Sequence, residues 1–160
     1  MTKDELNIRN YTHLDLPFFV GQRRLLYSTS NSPDTLSVEL LGHKSKGMVL
    51  GTVIFGTKSE GPPKHTHGGM ISYVLDETMG AAAWHAKKQV VAETIEIKFR
   101  KLTPLFTKLR IFGKVQKTVG DNVYVMAKIF DQDKKLFCTS RGRFRILSKD
   151  KLNALKLLVS

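Results

Sequence analysis

The sequence predicts an α+β domain in which one long helix packs against one antiparallel sheet of five to six strands. Three observations carry this. Residues 68–86 form a single apolar block with no Lys or Arg, in which Asp76 and Glu77 are the only acids. Two alternating segments precede that block and four follow it. Short polar turns separate the last strands, which suits hairpins in one sheet.

The elements follow in chain order. Residues 1–33 read as an N-terminal extension that packs on the body; Leu16-Pro17-Phe18-Phe19-Val20 is apolar without a clean period, and residues 28–34 are a polar, Pro-containing linker. Residues 35–41 and 48–57 alternate as strands, with a turn at 42–47. Residues 58–66 are a loop in which Gly61-Pro62-Pro63 forbids regular structure. Residues 68–86 are the helix. Being apolar on nearly every side, it is expected to be buried all round. Lys87-Lys88 marks its return to solvent, and cations suit a helix C-terminus. Residues 90–100, 105–118, 123–131 and 136–147 are the four later strands, turning at 120–122 and 131–135. The body is therefore residues 34–147, and the tail, 148–160, is a short amphipathic helix through Leu152, Leu155 and Leu158.

A chain of 160 residues with 41% hydrophobic and 25% charged residues is one ordinary globular domain, not a disordered chain. One cysteine, Cys138, excludes an intramolecular disulfide and a thiolate zinc site, and as a strand residue it reads as part of the core. The polar, acidic start is unlike a signal peptide, and no apolar run reaches membrane-spanning length; the expected compartment is the cytoplasm. The net charge of +12 invites a polyanion partner, but the cations are spread from Arg23-Arg24 to residues 141–145 and read as a solvated surface. No zinc finger, recognition helix or aromatic-basic sheet motif accompanies them, so a nucleic-acid partner is not expected.

The segment with chemical content opens the helix: His67-Gly68-Gly69, then Tyr73, Asp76, Glu77 and Gly80. Glycine is costly at a helix start unless backbone must approach something closely. The first turn also offers unpaired amides and the positive end of the macrodipole, suited to a carbonyl oxygen or a developing oxyanion. Gly69, Tyr73, Asp76 and Gly80 share one helix stripe, while Glu77 lies about 100° round the wheel. A carboxylate two turns inside an apolar helix is costly unless paired or working. The alternative for Asp76 is a buried acid satisfied by a neighbouring strand or subunit.

His-Gly-Gly, six residues, Asp, and Gly four further on resembles the signature of the hotdog-fold acyl-coenzyme A thioesterases, in the branch that contains the phenylacetic-acid-degradation thioesterase and the human thioesterase superfamily members. Residues 34–147 carry the likeness, including Glu60-Gly61-Pro62-Pro63, residues 95–101 with Thr103-Pro104, and Arg141-Gly142-Arg143-Phe144. The resemblance implies a hotdog fold, in which the sheet wraps the helix. It also implies thioester hydrolysis, with Asp76 as general base or nucleophile, the Gly69 amide polarising the carbonyl, and His67 shaping the site. Gly68, Tyr73 and Glu77 are then candidate substrate contacts, with Met70, Met79 and Trp84 as further candidate lining. Arg100, Lys101 and Thr103 at a strand exit are candidates for the coenzyme A nucleotide. The substrate is an acyl-coenzyme A and no cofactor is implied. Where relatives place a strand hydroxyl this chain has Ala92; Thr94, two residues on and on the same face by alternation, is the expected substitute. Gly61 stands where some relatives have Asn, and Leu102 where a Pro is usual.

A metal site from His65, His67 and Asp76 or His85 is the weaker reading, because the glycines explain His67 better. The second function class is a non-catalytic hotdog protein that binds an acyl-coenzyme A or a protein partner. The family forms dimers with sites between subunits, often paired into tetramers, so the expectation is a homo-oligomer, a dimer at minimum.

Overall fold

The computed structural model describes residues 1–14 and 34–157. The apolar run 16–20, the pair Arg23-Arg24, most of the linker 28–34 and Leu158 lie outside those residues.

Seven strands form one antiparallel sheet. They are β1 (Tyr11–His13), β2 (Ser37–His43), β3 (Met48–Ile54), β4 (Val90–Phe99), β5 (Leu109–Val119), β6 (Asn122–Phe130) and β7 (Leu136–Ile146), in the order β1-β2-β3-β5-β6-β7-β4. The long helix α1 (Gly68–His85) carries the chain from β3 to the far edge and packs against β2 through β7. A second helix, α2 (Lys149–Leu157), closes the described chain.

The strands alternate as a sheet with one buried face requires. In β6, Val123, Val125, Ala127 and Ile129 point to the helix and are buried; in β7, Cys138, Ser140, Gly142 and Phe144 do so. Leu75 and Met79 of α1 meet Val49, Val53, Phe55, Leu109 and Ile111 in the main core. Full burial of each large side chain contributes roughly 1.5–3 kcal/mol.

Three expectations change. The strand count is seven, not five to six, because Tyr11–His13 pairs with residues 41–43 of β2. That segment also covers part of the outer sheet face. Tyr11 packs with Leu50, Phe112 and Phe130, flanked by Leu6, and Lys114 Nζ meets Glu5 at 2.5 Å. Strand β5 starts at Leu109 rather than 105, because the preceding loop is tied sideways. Thr66 N–H donates to the Thr103 carbonyl at 2.8 Å, and His65 bridges Pro104. Finally, α1 is not buried all round. Ile71, Val74, Leu75, Thr78, Met79 and residues 81–83 are buried, whereas Gly69 is exposed and Tyr73, Asp76, Glu77, Gly80 and Trp84 are half-buried. A Cβ built on Gly80 meets nothing within 4 Å. One stripe of the helix therefore lies outside the fold's own sheet.

Candidate active site

The helix start is built by the loop before it. His67 is extended (φ −63°, ψ 136°) and its amide donates to the Ser59 carbonyl at 2.7 Å. Gly61 lies directly against it: a Cβ there would sit 2.7 Å from His67 Cα. No side chain other than glycine's hydrogen fits that approach without a shift.

His67 then caps α1. Its Nδ1 accepts the Gly69 N–H at 2.9 Å, and its carbonyl takes the Met70 and Ile71 amides. The amide expected to polarise a carbonyl is thus occupied by the neighbouring imidazole. The Gly68 N–H has no partner among the described residues. The Phe99 ring lies over Gly68, with Cζ 3.5 Å from where a Cβ would be. Phe99 is 54% exposed. In the sequence it looks like one more apolar strand residue, and only the fold brings it to the helix start.

Asp76 and Glu77 are the acids of the open stripe. Burial raises the Asp76 carboxyl above its usual range. Burial, and then the neighbouring Asp76 charge, push Glu77 up to about 7. Desolvation disfavours the ionised form of both acids, and the Asp76 charge adds to the shift of Glu77. Perturbed carboxyls half-open to solvent mark a candidate functional site.

Several sequence-based assignments need correction. Thr94 does not share a face with Ala92, because β4 bulges between them: Ala92 pairs with Phe144 but Thr94 pairs with Arg143. Phe144 is buried and Arg143 is exposed, so Thr94 lies on the outer face, away from α1. The extra residue is Glu93, whose carboxylate meets Arg143 at 3.1 Å and also Arg145. Nothing in the sequence marks that bulge. Thr103 is 1% exposed and its hydroxyl faces Cys138 Sγ at 3.6 Å, so its side chain is turned into the strand exit. Arg100 and Lys101 are exposed, and both backbone amides bond to the Phe137 carbonyl. Met79 is fully buried in the core beneath Gly142 and Ser140. Met70, Tyr73 and Trp84 are partly buried against the core.

The other histidines have structural work. The His85 Nε2–H donates to the His43 carbonyl at 2.7 Å, and His65 Nδ1–H to the Pro63 carbonyl at 2.9 Å. Among the described residues no three His, Cys, Asp or Glu side chains are grouped to hold a metal. Burial raises the Cys138 thiol, which leaves it neutral and unsuited to attack. No helix among the described residues is long and apolar enough to cross a membrane.

Comparison with known proteins agrees with this architecture. The thioesterase superfamily model matches residues 63–138, the span from the loop before His67 to Cys138. The acyl-coenzyme A thioesterase THEM4 of Xenopus laevis is 32% identical over 84 residues, which are 52% of this chain and 38% of that protein. Human acyl-coenzyme A thioesterase THEM5 is 26% identical over 90 residues, 56% of this chain and 36% of that protein. The match thus covers well under half the length of these curated relatives. Among solved structures, a thioesterase superfamily protein superposes with TM-score 0.65 at 29% identity, covering 71% of this chain and 54% of its own. The smu.793 protein of Streptococcus mutans, bound to acetyl-CoA, gives 0.66 at 19% identity over 81% of this chain and 98% of its own. With one antiparallel sheet around one helix that opens on His67-Gly68-Gly69 and carries Asp76 two turns on, the chain has the hotdog fold, and its residues 63–138 match the thioesterase superfamily.

Proposed function

We propose that this chain hydrolyses an acyl-coenzyme A thioester, and that Asp76 does so with the Gly69 amide of a second copy. One geometric observation carries the composite site. Gly69 and Asp76 are seven residues apart on one straight helix, which is about 10 Å at 1.5 Å per residue. A single carbonyl carbon cannot be within hydrogen-bond reach of both. Two copies that set their open helix stripes side by side bring one copy's acid to the other's helix start.

The sheet edge supports the same arrangement. Strand β4 ends the sheet, and its backbone edge is unpaired among the described residues. Val91 and Phe99 on it are 44% and 54% exposed. An open edge with apolar side chains wants a partner strand, and a twofold dimer supplies one. Pairing of dimers into a tetramer is compatible with this reading.

In this reading the thioester oxygen takes an amide at the helix start, displacing His67 Nδ1 from Gly69 N–H or using the unpartnered Gly68 N–H. Asp76 either removes a proton from water as that water adds to the carbonyl carbon, or adds to it directly. The carbon–sulfur bond then breaks, coenzyme A leaves as thiolate, and it gains a proton. In the direct case water hydrolyses the resulting anhydride. Arg100 and Lys101 are exposed cations suited to the nucleotide phosphates. The single, buried cysteine suits the reducing cytoplasm.

A non-catalytic acyl-coenzyme A binder is the second reading, favoured by the outward-facing Thr94 and the absence of a hydroxyl at Ala92. Free-thiol release from a panel of acyl-coenzyme A thioesters decides between them. Loss of about 10²–10⁴ in rate in Asp76→Asn, with the fold intact, supports hydrolysis. No turnover by folded wild-type protein on any thioester leaves the binder.

A further inference from the structure

The face of the sheet turned away from α1 holds a groove of about 300 Å³, and of its lining the proposed hydrolysis uses only Arg100, at one end. Register places its lining. Lys98 on β4 and Lys128 on β6 both stand opposite Thr139 on β7, one on either side. Strands about 4.8 Å apart put those two backbones about 10 Å from each other, with the Thr139 position between them. Arg141, two residues along β7, lies on the same face, and Arg100 continues the line of Lys98.

Four cations therefore line the groove against one carboxylate, Glu96, which meets Lys98 at 3.4 Å. Arg100, Lys128 and Arg141 have no carboxylate partner among the described residues. The neighbouring cations differ. Arg143 and Arg145, further along β7, are both engaged by Glu93. Positive charge is thus left uncompensated in the concavity and neutralised beyond it. A long polyanion would want an unbroken track, whereas a compact one needs only this cluster.

We propose that the groove binds a compact, multiply charged phosphate group around Thr139, through Lys98, Lys128 and Arg141. The arginine guanidinium and the lysine ammonium groups donate to phosphate oxygens, the Thr139 hydroxyl adds a neutral donor, and Gln116 lines the far side. The phosphate belongs either to a free small molecule or to a phosphorylated lipid headgroup.

The test is calorimetric titration of the full chain with inorganic triphosphate. It is repeated on Lys128→Gln/Arg141→Gln, on protein saturated with coenzyme A, and by co-sedimentation with phosphatidylcholine vesicles with and without phosphatidylinositol bisphosphate. Saturable binding that weakens at least tenfold in the double variant, while its thermal midpoint and thiol release stay unchanged, supports the site. Added sedimentation with the phosphorylated lipid assigns the headgroup as the source, and triphosphate binding alone assigns a free ligand. Equal affinity in wild type and variant, or no binding to either probe, overturns the proposal. Loss of triphosphate binding in the presence of coenzyme A also overturns it, since the groove would then belong to the thioester site.

Discussion

The Gly69 amide donates to Nδ1 of His67 at 2.9 Å, so the residue that opens the helix also closes its most useful donor. Capping of this kind is worth about 1 kcal/mol. His67→Ala is expected to lower the thermal midpoint by about 2–4 °C and to lower KM, because the thioester oxygen no longer competes with the imidazole. Thermal melts and steady-state thiol release check this. A raised KM with an unchanged midpoint would instead make His67 a substrate contact.

The bulge at Glu93 predicts opposite outcomes for two hydroxyl substitutions. Thr94 faces outward beside Arg143, so Thr94→Val should leave kcat within about twofold, since no donor to the reacting centre is removed. Ala92 pairs with Phe144 on the helix side, where an added hydroxyl can reach a bound water. Ala92→Ser should raise kcat. Parallel rate measurements on the two variants test the face assignment.

These two residues also show what the sequence could carry. Helix α1 is legible almost to the residue, because an apolar block of that length without Lys or Arg, followed by Lys87-Lys88, has one reading. The later strands were legible from their alternation and turns. A β-bulge has no such pattern: it adds one residue to a strand of ordinary composition and reverses the face of what comes before it. Tyr11–His13 gives no strand signal, because three residues are too few to show a period. The open stripe of α1 was hidden for another reason. Tyr73, Gly80 and Trp84 count as apolar or small whether a sheet or a second copy covers them. The cap by His67 likewise depends on the close approach of Gly61, which is a tertiary contact.

Glu77 makes stability depend on pH. Its carboxyl titrates at about 7 when folded, against an ordinary 4.5, because burial and then the Asp76 charge disfavour the anion. The folded state therefore binds more protons than the unfolded state between those values. The stabilising contribution is complete below about pH 4.5 and is lost as pH rises through 7. Since Glu77 is only half-buried, the effect is discounted to roughly 1–2 kcal/mol. The thermal midpoint should rise by a few degrees between pH 8 and pH 5.5. Glu77→Gln should flatten that rise and stabilise the protein at pH 8. Melts of both proteins across this range check the sign.

The composite site has a direct test in mixed dimers. Asp76→Asn removes the acid, and Gly69→Pro removes the amide hydrogen. Proline is tolerated in a helix's first turn, so both variants should fold. Each alone should be nearly inactive. If acid and amide come from different copies, a mixed dimer has one dead site carrying both substitutions and one site with neither. Dissociating and reassociating equal amounts should then restore roughly a quarter of wild-type sites, by random pairing in a twofold dimer. If both groups came from one chain, every site in the mixture would lack one of them, and thiol release would stay at the level of the separate variants.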